Sequence, residues 1–190
     1  MELSVFDIFR VGIGPSSSHT VGPMRAAQAF LERLSEKGLL GRVKRVTVQL
    51  MGSLAATGKG HGTDTACQLG LMGYEPESVD LDRARKQLEE VKQSLKLMLS
   101  GSFPIEFDPE HDICFTPEIV QKFHTNALEF KAWGTEGLLY ERRYYSIGGG
   151  FIVEGGDVHH RATSTEEGGK GGKRGLLAFD SAKELTKLAE

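Results

Sequence analysis

The sequence predicts an α+β fold, a mixed or antiparallel sheet with helices packed on it. Three observations support this. Apolar residues recur at helical spacing in three segments of the first hundred residues. Strand-like runs gather late, between about residues 105 and 153. No internal repeat alternates the two kinds of element. Helices placed early and strands placed late favour an α+β layer over a doubly wound one.

The elements follow in order. Ser4–Phe9 makes a short amphipathic turn, and residues 12–20 form a loop. A helix then runs from about residues 19–23 to Lys37. In it Val21, Met24, Ala27, Leu31 and Leu34 step by three and four, and Gly38 stops it. Pro23 has to lie near the start, because further in it would cost a helical hydrogen bond. Residues 43–50 read as a strand, with Val46, Val48 and Leu50 facing one way and Thr47 and Gln49 the other. A small-residue stretch, Gly52 to Gly62, leads into a helix from about Thr63 to Leu71. The clearest helical stripe covers Leu81 to Leu99: Leu81, Ala84, Leu88, Val91, Leu95 and Met98, with Asp80 as the cap and Gly101 as the end. Strands are expected at 105–107, 112–115, 127–132 and 138–145. The last breaks at Gly148-Gly149-Gly150 and resumes at 151–153.

The segment richest in chemistry is Gly14-Pro15-Ser16-Ser17-Ser18-His19-Thr20. Four hydroxyls, an imidazole and backbone N–H groups at a helix entrance can hold a carboxylate or phosphate. A helix cap with spare hydroxyls is the plainer alternative. His61 stands between glycines in Gly58-Lys59-Gly60-His61-Gly62-Thr63-Asp64, where backbone can approach a ligand closely. An imidazole titrating near neutrality suits the removal of a Cα proton, and a surface histidine is the alternative. The Gly58-Lys59 pair does not satisfy the phosphate-loop pattern, so Lys59 either helps hold an anion or is simply exposed. Asp64 either orients an imidazole or caps the helix after it. Three glycines after Ser146 mark a bulge, a sheet corner or a nest of N–H groups for an anion. His111, His124, His159 and His160 read as ordinary surface residues.

Composition narrows the possibilities. A chain of 190 residues, 39% hydrophobic, can bury one respectable core. A net charge of −3 argues against nucleic acid as a partner. The apolar runs are too short to span a bilayer, and the first residues lack the character of a signal peptide, so a cytoplasmic setting is expected. There are two cysteines, Cys67 and Cys114, and both read as small core hydrophobes. Two thiols cannot ligate a cubane iron–sulfur cluster, which takes three or four. Residues 154–175 hold seven glycines and read as a flexible linker, and residues 176–190 return to a helical pattern.

Ser4–Phe9 with Gly12–Met24, then Gly52–Ala55 through Gly58–Asp64, then Tyr144–Phe151, resemble in order and spacing the iron–sulfur, pyridoxal-phosphate-independent L-serine dehydratases. The match is to the N-terminal β domain or subunit of that family. The resemblance implies conversion of L-serine to pyruvate and ammonia. His61 would be the general base, and Ser16, Ser17, Ser18, His19, Thr20, Thr63, Asp64, Ser146, Gly148 and Gly149 would be the substrate-binding residues. It implies a 4Fe-4S cluster ligated by a separate cluster-bearing α domain or subunit, none on this chain, and a homodimer. It divides the chain into a β domain at 1–153, a linker at 154–175 and, at 176–190, the start of a helical connection to the cluster-bearing domain. The isolated chain is then expected to be inactive. The resemblance also implies a fold similar to the allosteric substrate-binding domain of some D-3-phosphoglycerate dehydrogenases, a non-catalytic piece. A non-catalytic module that binds an anionic effector is therefore the rival reading, and a glycine-flanked imidazole at His61 distinguishes the two.

Overall fold

The structure, a computed structural model, describes residues 14–155. The turn expected at residues 4–9, most of the linker and the helical pattern after it lie outside the described residues. Four helices and seven strands follow one another: α1 (Val21–Glu36), β1 (Arg45–Gly52), α2 (Ser53–His61), α3 (Thr63–Leu71), α4 (Leu81–Ser94), β2 (Lys96–Leu99), β3 (Phe103–Glu106), β4 (Ile113–Thr116), β5 (Asn126–Gly134), β6 (Gly137–Gly148) and β7 (Phe151–Glu154). The strands form one mixed sheet in the order β2-β3-β1-β5-β6-β7. β3 and β4 both run parallel to β1, and β5, β6 and β7 pair antiparallel. The fold is α+β, as the element order predicts.

The core lies between this sheet and α1. Val46, Val48 and Leu50 of β1 and Leu128, Phe130 and Ala132 of β5 point to it, along with Met24, Phe30 and Leu34 of α1. Phe30 stacks on Phe130 at 5.2 Å and on Tyr140 at 5.7 Å. α1 stops where expected: the Leu39 N–H bonds the Leu34 carbonyl across Gly38, whose φ is 65°. A smaller cluster, Met51, Ala127, Tyr145 and Val153, occupies the opposite face of the sheet.

The structure departs from the expectations at several points. The stretch Gly52–Gly62 is largely helix, since α2 covers Ser53–His61. The helix expected over 81–99 ends at Ser94, because Leu95 turns left-handed at φ 55° and Lys96–Leu99 form a strand. There Leu97 and Leu99 are buried against β3, while Leu81, Leu95 and Met98 of the helical stripe are exposed. Gly101 accordingly turns the β2–β3 hairpin and does not end a helix. Cys114 is exposed, because successive residues of a strand face opposite ways and Ile113 takes the buried side of β4. Finally, β7 includes Glu154, whose carboxylate holds Arg33 of α1 and Arg142 of β6, so the folded sheet extends one residue into the expected linker.

Candidate functional site

Pro23 leaves the hydroxyl loop short of one helical donor, and the fold around it makes up the loss. A helical carbonyl bonds the N–H four residues on, and for His19 that residue is Pro23, which has none. The fully buried Thr63, at the start of α3, supplies the missing donor: its Oγ1 bonds the His19 carbonyl at 2.7 Å. From the other side Ser146 of β6, also fully buried, donates its hydroxyl to the Ser18 carbonyl at 2.7 Å. That approach requires Gly22, because a Cβ there would lie 2.0 Å from Ser146 Oγ. Asn126 of β5 donates to the Ser146 carbonyl at 3.2 Å and fixes the same strand end.

Within the loop the backbone is largely self-contained. The N–H groups of His19, Thr20, Gly22 and Met24 bond carbonyls of residues 16, 17 and 20, and the Thr20 hydroxyl returns to the Ser16 carbonyl at 2.8 Å. Those four N–H groups are therefore committed within the loop, and its serine hydroxyls lie beside them. Ser16 and Ser18 sit 3.2 Å apart, oxygen to oxygen, and both approach Nδ1 of His19, at 3.3 and 3.0 Å. Nε2 of His19 lies 2.9 Å from the Thr57 hydroxyl and 3.4 Å from the Ser53 carbonyl, both on α2. His19 is only 9% exposed. Burial holds its imidazole below the usual 6.5; the Ser53 carbonyl opposes that shift, and nearby His61 adds to it.

His61 closes α2 and is half-buried, its ring centroid 4.9 Å from that of His19. Its Nδ1 donates to the Thr57 carbonyl at 2.8 Å. Two imidazoles from segments about forty residues apart thus meet beside the serine pair. Gly148 and Gly149 lie at the β6–β7 hairpin, with Gly149 and Gly150 as its central pair at φ 59° and 75°, a turn that calls for two left-handed residues. The hairpin tip rests on the start of α1: a Cβ on Gly150 would meet Val21 at 2.7 Å, and the Gly150 carbonyl accepts from Arg25 at 3.2 Å.

Other candidates stand apart from this cluster. The Asp64 carboxylate accepts from the next residue's N–H at 2.9 Å and lines a separate groove with Lys59, Lys92 and Cys114. Lys59 lies over the Phe115 ring at 5.3 Å. His111 pairs with Asp108, and His124 accepts from the Asn126 N–H. Sequence reasoning missed Thr57. It stands four residues before His61, a spacing that becomes one helical turn once Gly52–Gly62 is seen to be helix.

The cysteines do not suit a cluster. Cys67 is buried within α3, and burial, with Asp64 nearby, pushes its thiol far up; Cys114 is exposed on β4. Among the described residues no three His, Cys, Asp or Glu side chains stand together as a ligand set. No described helix is long and apolar enough to cross a membrane.

Fold and site define an α+β domain that gathers a serine loop and two imidazoles where strands β1 and β6 end. Residues 4–157 match the family described as serine dehydratase beta chain. The chain is 46% identical over 153 residues to the L-serine dehydratase TdcG of Escherichia coli, covering 80% of this chain and 34% of that protein. It is 47% identical over 154 residues to the L-serine dehydratase of Mycobacterium bovis, covering 80% and 33%. The L-serine dehydratase of Helicobacter pylori aligns with the whole chain at 39% identity over 192 positions, 40% of its own length. The chain belongs to the serine dehydratase β-chain family, and it spans about a third of the length of most of these relatives.

Proposed function

We propose that this chain is the substrate-binding and proton-abstracting part of an L-serine dehydratase. The observation that carries the reading is the meeting of His61 with His19 beside the Ser16–Ser18 pair. The serine hydroxyls hold the carboxylate of L-serine, with the Gly148–Gly149 turn beside the same helix start. His61 removes the Cα proton, and its position at the rim, with one ring nitrogen tied to backbone, keeps the ring oriented toward the ligand. Loss of the Cα proton and the β-hydroxyl as water leaves 2-aminoacrylate. That species tautomerises to the imine and takes up one water to give pyruvate and ammonia, so the atoms balance.

Assistance to the departing hydroxide comes from outside this chain. The family resemblance implies a 4Fe-4S cluster, but the described residues do not fit one. The name of the β-chain family suggests a partner α domain or subunit, and we place the cluster there. In this reading residues 176–190 begin the connection to that part, the linker expected at 154–175 leads to it, two copies assemble as a dimer, and the enzyme works in the cytoplasm.

The test is His61→Ala in the enzyme reassembled with its cluster-bearing part. Turnover falls about 10²–10⁴-fold while KM for L-serine changes little, because a base acts in the transition state. Ser16→Ala or Ser18→Ala mainly raises KM, by about 1 kcal/mol and up to about 3 kcal/mol where the hydroxyl meets the charged carboxylate. Wild-type turnover in His61→Ala would leave the chain a binding module only.

A further inference from the structure

We propose that Thr57 is the positioning residue of this site, setting opposite tautomers on the two histidines so that His61 presents Nε2 as its proton acceptor and His19 stays a neutral hydrogen-bond partner. The part concerning proton abstraction rests on the function proposed above, whereas the tautomers rest on geometry alone. A carbonyl oxygen only accepts. The 2.8 Å contact between His61 Nδ1 and the Thr57 carbonyl therefore requires a hydrogen on Nδ1, and in the neutral ring the lone pair lies on Nε2. The Thr57 hydroxyl donates to the Ser53 carbonyl at 3.0 Å, as a helical threonine reaching back one turn. Its proton so committed, that oxygen accepts from His19 Nε2 at 2.9 Å, and the Ser53 carbonyl, 3.4 Å from the same nitrogen, likewise accepts only. His19 therefore carries its hydrogen on Nε2, and its Nδ1 accepts from the Ser18 hydroxyl at 3.0 Å.

One residue thus holds both rings, its carbonyl serving one and its hydroxyl the other. The arrangement has a chemical purpose. A charged His19 centred 4.9 Å from His61 would oppose the protonation of His61 that proton abstraction requires. A His19 kept neutral, with its acceptor nitrogen on Ser18, removes that opposition. In the free chain it also turns the Ser18 hydroxyl proton toward the ring, so that Ser16 donates across the 3.2 Å serine contact; a bound carboxylate takes both protons in their place.

The experiment reads the ring nitrogens directly in the full chain. Two-bond ¹H–¹⁵N correlation above the histidine titration range, assigned with His19→Gln and His61→Gln, is expected to show Nδ1–H for His61 and Nε2–H for His19. Thr57→Val keeps shape and carbonyl but removes the hydroxyl. It should leave the His61 pattern intact and convert His19 to a mixture, and Thr57→Ser should restore His19. In the reassembled enzyme Thr57→Val should lower kcat about three- to tenfold, the scale of one hydrogen bond, with little change in KM and with rescue by Thr57→Ser. The opposite tautomer on either ring overturns the proposal, as does a His19 pattern indifferent to Thr57→Val. Failure of the His61→Ala test with these tautomers intact would reject the base and keep the positioning.

Discussion

Thr63→Val provides a sharp test of how the hydroxyl loop is held. The substitution keeps the branched shape of a fully buried side chain and deletes the single hydroxyl that bonds the His19 carbonyl at 2.7 Å. With Pro23 unable to donate, that carbonyl is left with neither its helical partner nor its substitute. An orphaned buried acceptor costs about 1–3 kcal/mol. At about 2–4 °C per kcal/mol for a chain of this size, Tm should fall by roughly 2–12 °C. Thr63→Ser keeps the hydroxyl and loses a methyl, which costs about 1 kcal/mol. The decisive variant is Pro23→Ala, which returns an N–H to the position four residues after His19. Alone it should destabilise by about 0.4–1 kcal/mol, by freeing the unfolded chain. Combined with Thr63→Val it should recover about 1 kcal/mol relative to additivity, because the new N–H serves the abandoned carbonyl. Urea unfolding followed by circular dichroism, with m unchanged, measures all four corners of the cycle. Additivity within about 0.5 kcal/mol, or a Thr63→Val no worse than Thr63→Ser, would refute the reasoning.

Two further outcomes follow from burial and charge. A thiol reagent should titrate one cysteine of the native chain at once, Cys114 on β4, and reach Cys67 only after unfolding; two fast thiols in the native state would contradict the packing of α3. His19 is held below its usual 6.5, so the unfolded chain binds more protons just under that pH; its stabilising contribution is complete above about 6.5 and is lost as the pH falls below it. His111, raised by Asp108, works in the opposite sense, but it is an exposed pair and contributes little. Urea midpoints between about pH 5.5 and 7 should therefore rise with pH. His19→Gln should flatten the slope, and an unchanged slope would show that another group titrates.

Comparison of particular residues shows why some of this was legible in sequence. α1 and α3 emerge because their apolar spacing fits a single period and a glycine or a polar residue marks each boundary. β1 emerges because Val46, Val48 and Leu50 alternate cleanly. Residues 95–99 fit two periods at once: Leu95 and Met98 continue a helical stripe while Leu97 and Leu99 alternate. What decides is a distant partner, β3, which pairs Leu97 with Ile105. α2 was hidden for another reason. Its glycines weaken helical propensity, and its buried face, Leu54, Ala55 and Gly58, is narrow. The serine loop and His61 stand out by residue type alone. Thr57 carries no such signal, since its importance lies in its carbonyl and in helical geometry. Thr63 and Ser146 belong to the recognisable motifs, yet the structure uses their hydroxyls to anchor backbone, a distinction only packing reveals.

The bond from Ser146 to Ser18 joins residues 128 positions apart, and its consequence is one of timing. The loop with the serines is synthesised well before the strand that fastens it, and contacts of such separation form late, after the intervening chain has paid for its ordering. Until β6 is laid beside β5, the Ser18 carbonyl lacks its donor and Gly22 its close neighbour. Under the function proposed above, ligand binding would then wait on completion of the sheet. A nascent or partly folded chain would carry all the serines and both histidines without that fastening, so, on the proposed function, an assay of anion capture would also be a clock for the last steps of folding.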